Sequence, residues 1–379
     1  MNKKEVLEIR KQFSPDNCAI TRICGCYVDH EKNIIMRSKD AFLSLPEEEE
    51  FKYFDILRHT LSGKLGKNLV ELGFPNEEEM AGGKQEFLLK LCDSRLEDDA
   101  LIAQFYEKVI QSFEYVENYF IILISSTYDI PGKASDGTKM FDSSDEVYCH
   151  IMCSICPVKL AKPGLSYVPE KNTVESRDRD WVIGAPINGF LFPAFNDRST
   201  DIHHALAYEK QPDNSKEEFY SEMFGTDLPI APDTQKEIFQ DILEEVLDSS
   251  GSYDTVKNIF DEVCEFEDEN KDNPEPPALE KGDIRRILSD SGVTEEGLKK
   301  FDAEYDRRAG AGTKLLVSNI LNTKQFHIDS PDVTVKVDPE RTDLVETKIV
   351  DGRQCIVIAV NDRVEVNGIN VHTLLHNKN

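Results

Sequence analysis

The sequence lacks any long hydrophobic run, has a single tryptophan and is short of basic residues. No stretch approaches the roughly 20 apolar residues that a membrane-spanning helix requires. The first ten residues, MNKKEVLEIR, are charged and contain no apolar core of the kind that signal peptides have. We therefore expect no membrane association and no export. The nine cysteines are then most simply reduced thiols of a cytoplasmic protein.

Positive charge is scarce throughout. The 379 residues include 44 Lys and Arg against 72 Asp and Glu, a formal net charge of −28. The imbalance is greatest in residues 201–280, which contain 5 basic and 23 acidic side chains. An acidic surface repels phosphate backbones and anionic lipid heads, so nucleic acid is disfavoured as a partner. The simplest interpretation of the charge is a solvated surface.

The pattern of apolar residues predicts an α+β or α/β fold in three parts. Tyr119–Thr127 is β-branched and aromatic, which predicts a strand buried on both faces. We expect an α/β domain with a mixed sheet over residues 1–210, an acidic helical segment and linker over 211–278, and a helical connector with a small antiparallel β unit over 279–379. Helical spacing predicts helices over Lys3–Phe13, Glu47–Leu61, Glu86–Cys92, Asp98–Tyr115, Thr234–Leu247, Tyr253–Glu265 and, with a break, Lys281–Arg308.

Four segments resemble one bacterial family of proteins, grouped as domain of unknown function 4317. They are the opening MNKKEVLEIRKQFSPDNCAITRICGCYVD, LFPAFNDRSTDIHHALAYEK at Leu191–Lys210, DLVETKIVDGRQCIVIAV at Asp343–Val360 and VEVNGINV at Val364–Val371. The resemblance spans nearly the whole chain. It implies no reaction, cofactor or catalytic residue, so function has to be argued from the residues themselves.

Cys149, Cys153 and Cys156 have the spacing of the cysteines that hold an iron–sulfur cluster in radical enzymes using S-adenosylmethionine. Ile155 stands where those enzymes normally have an aromatic residue, and the flanking apolar residues indicate a packed element. We therefore favour buried structural cysteines. A zinc site would require the fold to bring together Cys18, Cys24, Cys26, Cys149 and His150. No metal site and no cofactor is predicted.

The polar loop after the buried strand contains Gly132-x4-Gly137-Thr138-Lys139, which differs from a phosphate-binding loop because Lys follows Thr instead of preceding it. The carboxylates of this loop suit either turns or a divalent cation, and turns are the more common role; they are Asp129, Asp136, Asp142 and Asp145. If a ligand binds here, Asp129 and Lys133 are candidate contacts, and Trp181 is a candidate platform.

The densest polar cluster is Asn196–His204 (NDRSTDIHH). Asp197, Arg198, Asp201 and His203 are the candidate catalytic residues, since they supply a base, an orienting carboxylate and a group that binds anions. A turn between two strands explains the same composition. His203 and His204 are adjacent and should face opposite sides of a strand, so at most one can join the site.

Two further motifs are incomplete. The loop Gly63–Lys67 (GKLGK) is similar to the Gly-x-x-Gly loop that clamps RNA, but its flanks do not fit that domain. The segment beginning at Asp268 starts like a calcium-binding loop, but Leu279 stands where the bidentate glutamate is needed.

Three hypotheses about function remain, and whether the protein is an enzyme is left open. The first is a non-catalytic interaction or regulatory protein that binds an unknown protein partner or a second copy of itself. The second is an enzyme or binding protein for a small anionic or nucleotide-like ligand at the cluster around Arg198. The third is a nucleic-acid-associated protein with a basic patch at Lys64 and Lys67.

Overall fold

The computed structural model describes residues 1–133, 139–140, 146–247, 251–273, 275–310, 312–360, 364–366 and 369–371. The chain divides into two compact units, Met1–Pro232 and Asp233–Asn379. The three-part division inferred from the sequence stays a prediction. The segment 211–232, which that division assigns to the acidic middle, lies in the first unit.

The first unit contains five helices and an extended sheet in its described residues. The helices are α1 Lys3–Arg10, α2 Glu47–Thr60, α3 Lys84–Asp93, α4 Asp99–Ser112 and α5 Glu217–Phe224. The strands are β1 Ile20–Val28, β2 Ile34–Ala41, β3 Leu69–Gly73, β4 Tyr119–Ile130, β5 Gly132–Lys133, β6 Lys139–Met140, β7 Glu146–Leu160, β8 Leu165–Val168, β9 Thr173–Ser176, β10 Trp181–Ile183, β11 Asn188–Phe192, β12 Ala194–Asn196, β13 Ser199–Asp201 and β14 His204–Glu209.

The main sheet has the strand order β2-β1-β4-β7-β11-β14-β3, and β10 pairs with the end of β7. Each of these pairings is antiparallel. The α+β class is confirmed, but the expectation of a mixed sheet is wrong. A continuous apolar strand indicates burial on both faces, and an antiparallel sheet with helices on both faces produces that pattern as well as a parallel one does.

Helices cover both faces of the sheet. Along β4, Ile121 and Leu123 point into one core with α3, α4 and α5, while Ile122 and Ile124 point into a second core with α1 and α2. Alternate side chains of a strand face opposite sides, so the same twelve-residue strand contributes to two cores. This explains why Tyr119–Thr127 shows no alternation of polar and apolar residues.

The second unit combines helices with small hairpins. Its helices are α6 Pro232–Leu247, α7 Tyr253–Asn270, α8 Lys281–Asp290, α9 Glu295–Arg308 and α10 Val317–Ile320. Its strands are β15 Ala278–Leu279, β16 Leu315–Leu316, β17 Phe326–Asp329, β18 Thr334–Val337, β19 Val345–Val350, β20 Arg353–Ile358, β21 Val364–Val366 and β22 Ile369–Val371. They pair antiparallel as β15–β16, β17–β18, β19–β20 and β21–β22, which confirms the predicted C-terminal antiparallel units.

Candidate functional site

The polar cluster singled out in the sequence folds as a tight hairpin. Strands β12 and β13 pair from Asn196 to Ser199, so Asp197 and Arg198 alone form the turn. Both have positive φ, 51° and 57°. Two consecutive left-handed residues form the hairpin turn whose twist matches that of the flanking strands. Two of the candidate catalytic residues therefore occupy the turn itself.

Arg198 is engaged by the N-terminal helix. Its Nη2 and Nε donate to the two carboxylate oxygens of Glu8 over 2.9 and 3.3 Å. The hydroxyl of Tyr128 donates to the same carboxylate over 2.7 Å. The hydrogen bond to Glu8 raises the pKa of Arg198, and burial together with Glu8 raises the pKa of Tyr128 to about 12. The arginine thus joins α1 to the hairpin, and an anionic ligand would have to compete with Glu8 for it.

Asp201 lies at the centre of a second group of contacts. Its Oδ2 accepts hydrogen bonds from Asn196 Nδ2 at 2.7 Å and lies 2.8 Å from His204 Nδ1, while its Oδ1 accepts from the backbone N–H of His203 at 2.9 Å. Burial raises the pKa of Asp201, but these hydrogen bonds outweigh it and hold the pKa below its usual value. Glu71, on β3, also takes part in these contacts. It accepts a hydrogen bond from Asn196 Nδ2 and contacts the amino group of Met1.

The two adjacent histidines have different partners. His204 Nδ1 contacts Asp201, whereas His203 Nδ1 lies 2.8 Å from Glu79 Oε1. The hydrogen bond and the charge of Glu79 raise the pKa of His203. Whether His203 acts on a ligand stays a prediction. The imidazole beside the Asp201 carboxylate is that of His204.

The predicted ligand contacts Asp129 and Trp181 lie near opposite ends of β7. Asp129 pairs with Val147, and Trp181 pairs with Leu160. At about 3.3 Å per residue, the two are separated by about 40 Å, so one small ligand does not bridge them. Trp181 is 57% exposed. The side chain of Lys133 and the residues Asp136, Asp142 and Asp145 lie outside the described residues.

The three cysteines with cluster-like spacing lie on one strand. Cys153 faces the core under α3–α5, and Cys156 faces the core under α1 and α2. Opposite faces of a sheet cannot hold one cluster. Burial raises the pKa of the Cys153 and Cys156 thiols, as it raises those of Cys24 and Cys26 to about 11. All nine cysteines are free thiols.

His150 is another buried group on β7. It is fully buried, and its ring stacks on that of Tyr148 with centroids 4.6 Å apart. Within the described part of the chain neither ring nitrogen has a hydrogen-bond partner, and the same holds for the hydroxyl of Ser126, its cross-strand neighbour. Burial lowers the pKa of His150 to about 3. The ring is therefore a neutral core group at physiological pH.

The second unit contains an apolar groove of about 800 Å³. Its lining comes from α6, α7, α10, β17 and the segment between α10 and β17. The apolar lining consists of Phe239, Leu243, Leu247, Val256, Ile259, Phe260, Ile320, Leu321 and Phe326. Lys236, Glu244, His327 and Asp329 are the ionisable residues of the lining.

Comparison with known proteins identifies the family of the chain. Residues 1–369 match the family described as Domain of unknown function (DUF4317). The chain belongs to this family. No curated protein and no solved structure matches it. None of the helices within the described ranges is long and apolar enough to cross a membrane. For this DUF4317 chain, function therefore has to be argued from its own geometry.

The segment Leu191–Lys210, which resembles a family landmark, contains the end of β11, the β12–β13 hairpin and β14. Sequence reasoning identified this hairpin but missed its partners Glu8, Glu71 and Glu79. These glutamates carry no local signal, because each is far from the hairpin in sequence and reaches it only through the folded sheet. The groove was missed for a related reason, since an amphipathic pattern does not show which apolar residues remain accessible.

Proposed function

We propose that this DUF4317 chain is a non-catalytic interaction protein of the bacterial cytoplasm whose second unit binds a basic amphipathic helix of a partner protein. The observation that supports the proposal most directly is the apolar groove between α6 and α7. A volume of about 800 Å³ falls within the range of binding clefts, and a groove between helices is a common receptor for the apolar face of a helix.

The charge of the flanking helices argues for a basic partner. Helix α6 carries five acidic side chains and one lysine, and α7 carries seven and one. Part of this charge is compensated within the unit, where Arg308 pairs with Asp241 and with Glu245. Glu244 is exposed at the groove itself. The negative charge of α6 and α7 would attract a helix that has lysines beside its apolar face. The leucines of that apolar face would then fill the groove.

A direct test uses a fluorescent peptide of about 18 residues, or about five helical turns, with leucines on one face and lysines elsewhere. Its counterpart with glutamate in place of lysine is the charge control. We expect the basic peptide to bind, with an affinity that falls as salt is raised. The acidic peptide should not bind.

Val256→Asp separates groove binding from general attraction. Val256 lines the groove and is 45% exposed, so the unit should fold with the change. The substitution adds a negative charge, which would strengthen a purely electrostatic contact but weaken one that requires the groove. We expect binding of the basic peptide to weaken by roughly tenfold or more. Ile349→Asp, at an 80% exposed position outside the groove, adds the same charge and should leave binding unchanged.

Two outcomes would contradict the proposal. Equal or tighter binding by the Val256→Asp protein would mean that charge alone holds the peptide. A concentration-dependent dimer that Val256→Asp abolishes would mean that a second copy of the chain occupies the groove. The alternative of a small anionic ligand at Arg198 has less support, because Glu8 already occupies that guanidinium. Nothing observed favours a nucleic-acid role for Lys64 and Lys67.

A further inference from the structure

Three donor groups converge at the edge of the main sheet. One ligand atom each from Glu71, Asp201 and His204 lies within 4.8 Å of the others. The residues come from three strands, β3, β13 and β14, and His204 pairs in register with Gly73 of β3. An imidazole nitrogen with two carboxylate oxygens is a donor set suited to divalent first-row transition metals.

The backbone fixes two of these ligands in place. The N–H of His203 holds Oδ1 of Asp201, which directs Oδ2 towards the cluster. His204 starts β14 and is anchored by ladder hydrogen bonds to β3. A Cβ on Gly73 would lie 3.3 Å from His204 Nε2, so the absent side chain leaves room for the ring. Outer contacts of this kind orient ligands in metal sites.

The charges of the cluster are incompletely balanced by protein side chains. Within the described residues, Glu71 forms an ion pair with the N-terminal ammonium of Met1, and neither Glu71 nor Asp201 pairs with a lysine or arginine. Arg198 lies in the same hairpin but pairs with Glu8. The contacts present are the amide of Asn196, which donates to both carboxylates, the imidazole of His204 and the amino group of Met1. The Met1 ammonium supplies one positive charge against the two carboxylates, so a divalent ion in its place would bring the cluster closer to neutrality.

We propose that Glu71, Asp201 and His204 bind one divalent transition-metal ion. The ion would replace the hydrogen bond between His204 and Asp201 and the contacts that Glu71 makes with Met1 and Asn196. Three protein ligands leave at least one position for water. The sequence predicted no metal site because Glu71 lies far from the other two ligands along the chain. This inference concerns the first unit and does not depend on the groove of the second.

The test is a titration of the full chain with Co²⁺, followed by its visible spectrum and by calorimetry. We expect one ion per chain, with d–d bands of nitrogen and oxygen ligands and no thiolate charge-transfer band. His204→Ala and Asp201→Asn should each weaken binding by tenfold or more. His203→Ala is the matched control, because the neighbouring imidazole contacts Glu79 and should not contribute.

Each contrary result would overturn the proposal. A charge-transfer band would place the ion on cysteine. Binding that His203→Ala and His204→Ala weaken equally would indicate a loose surface site, and binding that His204→Ala leaves intact would exclude the imidazole. The absence of stoichiometric binding at millimolar Co²⁺ would show that the cluster is satisfied by its own hydrogen bonds. Circular dichroism of each variant verifies that the fold is intact.

Discussion

We predict that Glu209 makes the free energy of unfolding of the first unit depend on pH. The residue ends β14 and is 4% exposed. Its Oε1 accepts hydrogen bonds from the backbone N–H of Lys216 at 2.9 Å and from Asn188 Nδ2 at 3.1 Å. Burial raises the pKa of Glu209 to about 7, and the charge of Glu217 acts in the same direction. The carboxyl group is therefore protonated in the folded protein at pH values where an unfolded chain has lost the proton.

The sign of the effect follows from which state binds more protons. Between about pH 4.5 and pH 7 the folded state retains the proton and the unfolded state does not, so the free energy of unfolding falls as pH rises. The interval from the ordinary pKa of 4.5 to about 7, at roughly 1.4 kcal/mol per pH unit, corresponds to about 3 kcal/mol. Above about pH 7 both states are ionised and the loss is complete.

Glu209→Gln should remove this dependence. The amide is neutral at all pH values, and its oxygen can still accept from Lys216 and Asn188. We expect the stability of the variant relative to the wild type to increase from about pH 4.5 to about pH 7 and then to level off. Urea unfolding at a series of pH values measures the free energy of unfolding of both proteins. The fluorescence of Trp181, the single tryptophan, reports on the first unit alone.

Glu218→Gln is the matched control. Glu218 is an exposed residue of α5. Its replacement by Gln removes one acidic side chain, as Glu209→Gln does. Its stability profile should parallel that of the wild type. Parallel profiles for Glu209→Gln and the wild type would refute the reasoning, because they would mean that Glu209 ionises at the same pH in the folded and unfolded chains.

Three other experiments test the packing and the electrostatics of the same unit. Gly189→Ala should destabilise by about 3 kcal/mol in urea unfolding, because its Cβ would lie 2.3 Å from the carbonyl oxygen of Cys153. His150→Phe should improve resistance to acid, since the wild-type histidine binds a proton only when unfolded between about pH 6.5 and pH 3, a loss of up to about 5 kcal/mol. A double-mutant cycle on Arg198 and Glu8 should give a coupling energy of about 1 kcal/mol.

Controls and contrary results are specific to each change. Gly164→Ala, whose Cβ would meet nothing within 4 Å, should be nearly neutral, and equal losses at both glycines would contradict the steric argument. Unchanged acid unfolding of His150→Phe would mean that the histidine is hydrated or protonated in the folded state. A coupling energy near zero would mean that Arg198 and Glu8 are independently solvated.

Much of the fold could be predicted because its signals are local. The helix over Asp98–Tyr115 is observed as Asp99–Ser112, and its cap, Asp98, accepts from the N–H groups of the first turn. The break predicted within Lys281–Arg308 is observed between α8, which ends at Asp290, and α9, which begins at Glu295. Strand direction was not predictable, because β4 is covered by helices on both faces and its composition is the same in either kind of sheet.

The candidate site likewise has local features that the sequence predicts and distant contacts that it does not. Turn chemistry at Asp197 predicts a hairpin, and two left-handed residues form it. We expected His203 and His204 to separate because adjacent residues of a strand face opposite sides. They do contact different partners, Glu79 and Asp201, but His203 lies in the turn before β14 and only His204 is on the strand. The acidic partners were not predictable, because a glutamate on a distant strand has no local feature that distinguishes it from a solvated one.

The groove shows why an amphipathic pattern limits what can be said about function. Phe239, Leu243 and Leu247 recur at a spacing of four on α6, which predicts an apolar stripe and nothing about what covers it. In the structure Phe239 is 2% exposed, whereas Val256, across the groove on α7, is 45% exposed. The lining of the groove thus includes both buried and exposed apolar side chains. In the function we propose, the acidic charge of α6 and α7 is the feature that would favour a basic partner helix over other apolar ligands.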